Sequence, residues 1–266
     1  MDLKLRDKLA LVTGSTKGIG LAIATALAIE SARVIVNGRT ASSVSAALAQ
    51  IHERVPEAAL HGFTGDLATA AAAAQLVTRF PAVDILVNNL GIFEPKPFEE
   101  IPDEDWQRFF DVNVLSGVRL SRAYLPGMKQ RNWGRVVFIS SESAIQIPAE
   151  MIHYGTTKTA QLAVSRGMAE TCAGTGVTVN AVLPGPTRSA GVDEFVAKLS
   201  GGRPFAEFEK EFFEMVRPTL SAQAIRHDGR SREPGCIRVQ PPCLRHEWRG
   251  IARRWRGCAY VLLSGL

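Results

Sequence analysis

Tyr154 and Lys158 stand four residues apart, the spacing that brings two side chains onto one face of a helix, and Ser141 follows an apolar run that ends just ahead of them. A tyrosine with an ordinary pKa near 10 transfers protons poorly at neutral pH. A neighbouring ammonium and a cationic ring each favour the phenolate and lower that value, so Lys158 is expected to activate Tyr154. In that arrangement Tyr154 exchanges a proton with a substrate oxygen, Ser141 hydrogen-bonds the same oxygen, and Lys158 also donates to sugar hydroxyls. Y-x-x-x-K by itself occurs by chance in many helices, so the surrounding pattern must carry the reading. His153, beside the tyrosine, could touch substrate but reads first as a helix-surface histidine, and Glu142 and Glu150 read as solvated.

Thr13-Gly14-Ser15-Thr16-Lys17-Gly18-Ile19-Gly20 joins the first apolar run to a helical stretch. The bare backbone of Gly14 and Gly18 allows close approach to a pyrophosphate, Gly20 lets the helix pack on the strand, and the helix N-terminus offers free N–H groups and a positive dipole end. An ordinary tight turn is the alternative, weakened by the strand–loop–helix setting. The second apolar run ends in Val36-Asn37-Gly38-Arg39. No carboxylate stands there to accept from a ribose 2′-hydroxyl, whereas Arg39 and Lys17 can converge on a 2′-phosphate, which implies NADP(H) over NAD(H). Two solvated cations are the other reading of that pair. Asp66, in Thr64-Gly65-Asp66-Leu67, accepts from an adenine amino group or caps the alanine-rich helix after it, and the two are compatible.

Short β-branched apolar runs at 9–13, 33–37, 59–63, 84–88, 135–140 and 177–182 read as strands, nearly all too continuously apolar to have a wet face. Helical patterns at about 19–30, 41–53, 67–79, 103–130 and 153–173 lie between them. Strict alternation implies right-handed crossovers and one α/β domain, a Rossmann-type doubly wound parallel sheet that binds ligands at the carboxyl ends of its strands. Residues 1–189 would form the dinucleotide-binding and catalytic core. Residues 190–219 carry an amphipathic stretch, rich in phenylalanine and broken by Gly201-Gly202 and Pro204, that is either a helix packed on the core or a hinged substrate lid of the same domain. With 145–151 and 93–97 it would line a pocket for an uncharged or acyl-type carbonyl compound.

Thr13-Gly14-x-x-x-Gly18-Ile19-Gly20, Asn88-Asn89-Leu90-Gly91, Asn113, Ser141, Tyr154-x-x-x-Lys158 and Pro184-Gly185 together resemble the short-chain dehydrogenase/reductase family, in its order and spacing, closest to the 3-oxoacyl-(acyl-carrier-protein) reductase-like branch. The resemblance covers residues 6 to about 217. It implies an NADP(H)-dependent carbonyl reductase or alcohol dehydrogenase transferring the pro-S hydride, with Tyr154 as acid/base, Lys158 as its partner, Ser141 positioning substrate and Asn113 holding a relay water. It further implies a cofactor set of Gly14, Ser15, Thr16, Lys17, Gly18, Ile19, Gly20, Arg39, Asp66, Leu67, Asn89, Gly91, Tyr154, Lys158, Pro184, Gly185 and Thr187, the last against the carboxamide. Asn88 would stabilise the central sheet, no metal is involved, and a homodimer or homotetramer is expected. Leu90 departs from the family's alanine beside the cofactor, shifting the ribose or being absorbed by a neighbour.

The chain has 266 residues and a formal charge of +5, but nine arginines against three acids in residues 222–266 carry +6, leaving −1 for the rest. The basic excess therefore belongs to a tail, residues 220–266, without periodicity, expected to be irregular or disordered. Where relatives continue with a helix, a seventh strand and D-G-G, this tail has no match in its own frame. Decoded one base out, 228–234 can give T-E-E-V-A-N-L and 245–257 A-T-N-G-A-A-L-R-V-D-G-G-V, the family ending, so a frameshift near Leu220, biological or in the recorded sequence, is expected; a real tail implies a bare sheet edge in place of the last strand, a recording error a normal enzyme. The four cysteines fit neither a disulfide framework nor a zinc site, and no signal core or membrane-length apolar run exists, which implies a cytoplasmic protein. A catalytically silent dinucleotide-binding protein is the alternative function. Nucleic-acid binding through the arginine tail is a third reading, disfavoured because the tail lacks regular aromatic spacing.

Overall fold

The structure, a computed structural model, describes residues 3–185, 187–188, 226–227 and 260–263. Strands β1 (Leu9–Val12), β2 (Arg33–Gly38), β3 (Leu60–Thr64), β4 (Ile85–Asn88), β5 (Gly134–Ile139) and β6 (Val177–Pro184) alternate with helices α1 (Gly18–Ile29), α2 (Ala41–Arg54), α3 (Ala70–Arg79), α4 (Asp103–Phe110), α5 (Ser116–Gln130) and α6 (Ile152–Glu170). Two-residue strands β7 (Thr187–Arg188) and β8 (Arg226–His227) pair with each other, and β9 (Tyr260–Leu263) completes the set.

The main sheet is parallel, in the order β3-β2-β1-β4-β5-β6-β9. The order reverses at β1, the crevice where such sheets take ligands. Because side chains alternate across a strand, Ala10, Val12, Val34 and Val36 face one helical layer with Ile23, Leu27 and Ile51, while Leu11, Ile35, Leu86 and Phe138 face the other with Leu76, Leu120 and Met128. Double coverage is what the continuous apolar runs require. Each fully buried aliphatic side chain contributes about 1.5–3 kcal/mol of transfer free energy.

Three features differ from the sequence reading. The expected helix over 103–130 is interrupted by a π-helical turn, Asp111–Leu115, between α4 and α5. Helix α3 starts at Ala70, capped by the Thr69 side chain accepting from the Ala72 N–H, so Asp66 is not its cap. Asp66 instead accepts from the Ala68 N–H in the preceding turn. The edge beside β6, expected to be bare, is paired with β9 in parallel register, Ala181 opposite Tyr260. Tyr260-Val261-Leu262-Leu263 is a short apolar run that supplies strand to an open edge even inside an otherwise aperiodic tail. The 190–219 segment and most of the tail lie outside the described residues.

Candidate active site

The loop after β1 is built as an anion cradle. Gly14 and Gly18 take φ of 57° and 55°, the left-handed region that a Cβ disfavours. Gly20 lies under Asn89, where a Cβ would come within 2.5 Å of the amide nitrogen and of the Gly14 carbonyl oxygen. No acidic side chain sits in the first turn of α1, so its free N–H groups and dipole end face no built-in anion. Thr16 and Ile19 are partly exposed beside them, whereas Ser15 is 0% exposed. The Ser15 hydroxyl donates to the Val12 carbonyl and accepts from the Asn37 N–H. The Ser15 N–H in turn donates to the Asn37 carbonyl at 2.9 Å, so Ser15 serves this loop by fixing its shape.

Thr13 and Asn89 bind the ends of β1 and β4 together. The Thr13 hydroxyl accepts from the Asn89 and Leu90 N–H groups, and the Asn89 side-chain amide donates to the carbonyls of Thr13 and Gly14. Leu90 packs partly buried on the core, with a methyl 3.3 Å from where a Gly14 Cβ would stand. Asn37, which the sequence reading treated only as a missing carboxylate, is a buried keystone. Its oxygen accepts from the Gly14 N–H and its amide donates to the carbonyls of Phe63 and Gly65, tying the loops after β1, β2 and β3. Arg39 and Lys17 are exposed, and neither has an ion-pair partner among the described residues. Asp66 is exposed nearby in sequence to buried Leu67, whose side chain belongs to the core.

Across the crevice, β5 delivers Ser140 and Ser141, and α6 delivers Tyr154 and Lys158. The Ser140 hydroxyl donates to the Lys158 carbonyl, fixing helix to strand. Lys158 is 4% exposed, donates to the Ile139 carbonyl at 3.0 Å, and holds its Nζ 5.6 Å from the Tyr154 ring centre. Burial pulls the Lys158 ammonium down to about 8. Tyr154 is partly buried, and desolvation pushes its phenol up to about 12, with the neighbouring Ser141 hydroxyl opposing and the charge of Glu142 adding to the rise. The expected lowering by Lys158 is thus absent in the protein alone, because its ammonium is itself desolvated and engaged by a carbonyl.

Asn113 is 1% exposed in the π turn. Its side-chain oxygen accepts from the Ile92 N–H, and its amide donates to the Ile92 carbonyl and the Thr157 hydroxyl. Its own carbonyl accepts from Gln161 Nε2, which the widened turn exposes to α6. Gly91 fits where a Cβ would meet Lys158 Nζ at 3.3 Å and Asn113 Oδ1 at 3.5 Å. Pro184, the last residue of β6, and Gly185 after it are partly buried, and Thr187 lies in β7. Asn88 donates to the Ser121 hydroxyl, joining β4 to α5.

Three readings of neighbouring residues are corrected. His153 is not on the helix surface: it is 1% exposed, its ring centre lies 4.0 Å from that of Phe109 in a tilted contact, and burial lowers its pKa. One oxygen of Glu150 is enclosed rather than solvated. Glu142 accepts from the Ser141 hydroxyl at 2.7 Å, a contact that a lone glutamate in sequence does not reveal.

A doubly wound sheet with an anion-ready helix terminus at its switch point, facing a tyrosine–lysine–serine group, has the layout of a dinucleotide-dependent oxidoreductase. The chain matches the short chain dehydrogenase family over residues 8–199 and belongs to the short-chain dehydrogenase/reductase family, oxidoreductases acting on alcohol and carbonyl groups. It is 48% identical over 227 residues to the uncharacterized oxidoreductase YvaG of Bacillus subtilis (strain 168), across 85% of this chain and 86% of that one. It resembles a 3-oxoacyl (acyl-carrier-protein) reductase from Agrobacterium tumefaciens C58 solved with NADP bound, at TM-score 0.76 and 30% identity, covering 86% of each chain. It also resembles L-sorbose reductase from Gluconobacter frateurii complexed with NADPH and L-sorbose, at TM-score 0.77 and 26% identity over 87% of this chain and 89% of that one. No helix among the described residues is long and apolar enough to cross a membrane.

Proposed function

We propose that the chain is an NADP(H)-dependent reductase or dehydrogenase of a carbonyl/secondary alcohol pair, with Tyr154 as the group that gives or takes the proton. The observation that carries this is the convergence of Ser141, Tyr154 and Lys158 at the carboxyl end of β5, across the switch point from the α1 cradle. The nicotinamide supplies or accepts the hydride. Ser141 orients the substrate oxygen, and Tyr154 transfers its proton there. Lys158, held at the Ile139 carbonyl, is placed to bind ribose hydroxyls and, beside the bound cofactor's cationic ring, to bring the phenol down from about 12 toward a usable range. A carbonyl oxygen has two lone pairs, so the Asn113 carbonyl keeps one beyond Gln161 for a relay water.

The cradle residues Gly14, Ser15, Thr16, Lys17, Gly18, Ile19 and Gly20 would hold the pyrophosphate side, with Arg39 and Lys17 on a 2′-phosphate. Asp66 and Leu67 would flank the adenine, Asn89 and Gly91 the ribose, and Pro184, Gly185 and Thr187 the carboxamide. Asp66 is exposed enough to accept from an amino group, and both cations have room for a phosphate. NADP or NADPH in the solved relatives supports the same choice. Residues 190–219 would cover the substrate, and a homodimer or homotetramer in the cytoplasm completes the reading. Affinities for NADPH and NADH in wild type and Arg39→Ala test it. NADPH should bind more tightly, and the variant should lose about tenfold or more for NADPH alone, the worth of a charge-assisted hydrogen bond. Equal affinities, unchanged by the substitution, contradict the assignment.

A further inference from the structure

Glu142 has no part in the proton and hydride steps, yet it stands beside the reacting position. One of its oxygens accepts from Ser141 Oγ at 2.7 Å and the other from Ser143 Oγ at 3.3 Å. The short turn Glu142–Ala144 is held by Ser141 itself, whose hydroxyl also accepts from the Ser143 N–H at 3.1 Å. The carboxylate is therefore fixed against β5 rather than swinging in solvent, and its charge reaches the Tyr154 phenol. The nearby walls are apolar: Phe93 meets the Tyr154 ring edge-on at 6.2 Å, and Ile145 and Ile147 are exposed.

We propose that Glu142 determines specificity by accepting a hydrogen bond from a hydroxyl on the carbon next to the reacting carbonyl, so that the substrates are uncharged α-hydroxy ketones and the vicinal diols they form. This rests on the carbonyl-reductase reading given above. The Ser141 hydroxyl has a single proton, so seating a substrate carbonyl oxygen on it turns that proton from Glu142 to the substrate and leaves a short gap between the substrate oxygen and the Glu142 oxygen that stood 2.7 Å from Ser141 Oγ. A vicinal hydroxyl bridges that short gap, whereas a plain ketone leaves the carboxylate facing carbon. Carboxylate is an acceptor only, so it selects for a donor, and its charge disfavours a carboxylate in that place. The apolar walls suit a hydrocarbon remainder.

The test uses 2-butanone, 1-hydroxy-2-butanone, 1-amino-2-butanone and 2-oxobutanoate with NADPH on wild type, Glu142→Ala and Glu142→Gln. In wild type the hydroxy ketone should exceed 2-butanone in kcat/KM by about tenfold or more, the range of one hydrogen bond to a charged group. That ratio should fall nearly to parity in Glu142→Ala, chiefly through KM, and be partly kept in Glu142→Gln, where a carbonyl oxygen still accepts. The oxo acid should be poor in wild type and improve in Glu142→Gln. Calorimetric binding of the two uncharged ketones to the NADPH complex of Tyr154→Phe should show the same preference without turnover. Equal use of the two ketones by wild type, or a preference that survives Glu142→Ala, overturns the proposal, as does a Glu142-dependent preference for the amino ketone over the hydroxy ketone. NADPH binding without turnover of any ketone overturns the reductase reading beneath it instead.

Discussion

Burial sets the ionisation of the two central side chains in opposite directions from their tasks. The Lys158 ammonium is lowered from 10.5 to about 8, and the Tyr154 phenol raised from 10 to about 12. The unfolded chain keeps its lysine proton up to about 10.5, so between about pH 8 and 10.5 it binds more protons than the folded protein. Stability of the cofactor-free protein should therefore rise with pH across that window through Lys158. The raised Tyr154 works the other way: its contribution is complete below pH 10 and is lost as pH climbs toward 12. Urea titrations at stepped pH should show the rise in wild type and its loss in Lys158→Met; an unchanged slope in the variant would assign the rise elsewhere. The identities of Ser141, Tyr154 and Lys158 were legible because their residue types and spacing carry chemistry. Glu142 and Asn37 were not, since a polar residue in sequence does not announce whether it ends in water or on a buried partner.

At the scale of elements, strand ends are where the chain joins its layers. The Thr13 hydroxyl accepts the Asn89 and Leu90 N–H groups at 2.9 Å each. Removing it takes the acceptor from the partly buried Leu90 N–H and leaves the Asn89 N–H only the Val87 carbonyl at 3.1 Å, and an unsatisfied buried group costs about 1–3 kcal/mol. Thr13→Ala should lose stability of that order in denaturant unfolding, while Thr13→Ser, which keeps the oxygen, should stay close to wild type; equal loss in both would implicate the methyl group instead. The six core strands could be placed within two residues, five of them because burial forces apolar, β-branched sequence; the edge strand β3, where Phe63 alone is buried, has an exposed face that the sequence reading did not expect. The turn Asp111–Leu115 could not, because one widened turn barely disturbs the apolar period of a long helix. Helix α3 began later than expected because alanine content raises helix propensity without marking a start, which Thr69 supplies.

For the whole molecule, the division of charge separates a nearly neutral α/β body from an arginine-rich tail. Doubly wound architecture followed from alternation alone, while β9 was missed because four apolar residues in an aperiodic stretch give no period to read. Sequencing the gene across codons 215–225 decides the tail's origin: a base insertion or deletion there supports a frameshift, and clean DNA without the family ending one base away refutes it. The central claim is that this body reduces or oxidises a carbonyl/alcohol pair through Tyr154. Its most direct test is NADPH consumption with a panel of ketones by wild type and Tyr154→Phe, with NADPH binding measured on both. The expected result is turnover by wild type, a fall of about a hundredfold or more in the variant, and equal NADPH binding. Turnover by Tyr154→Phe at the wild-type rate would contradict the account.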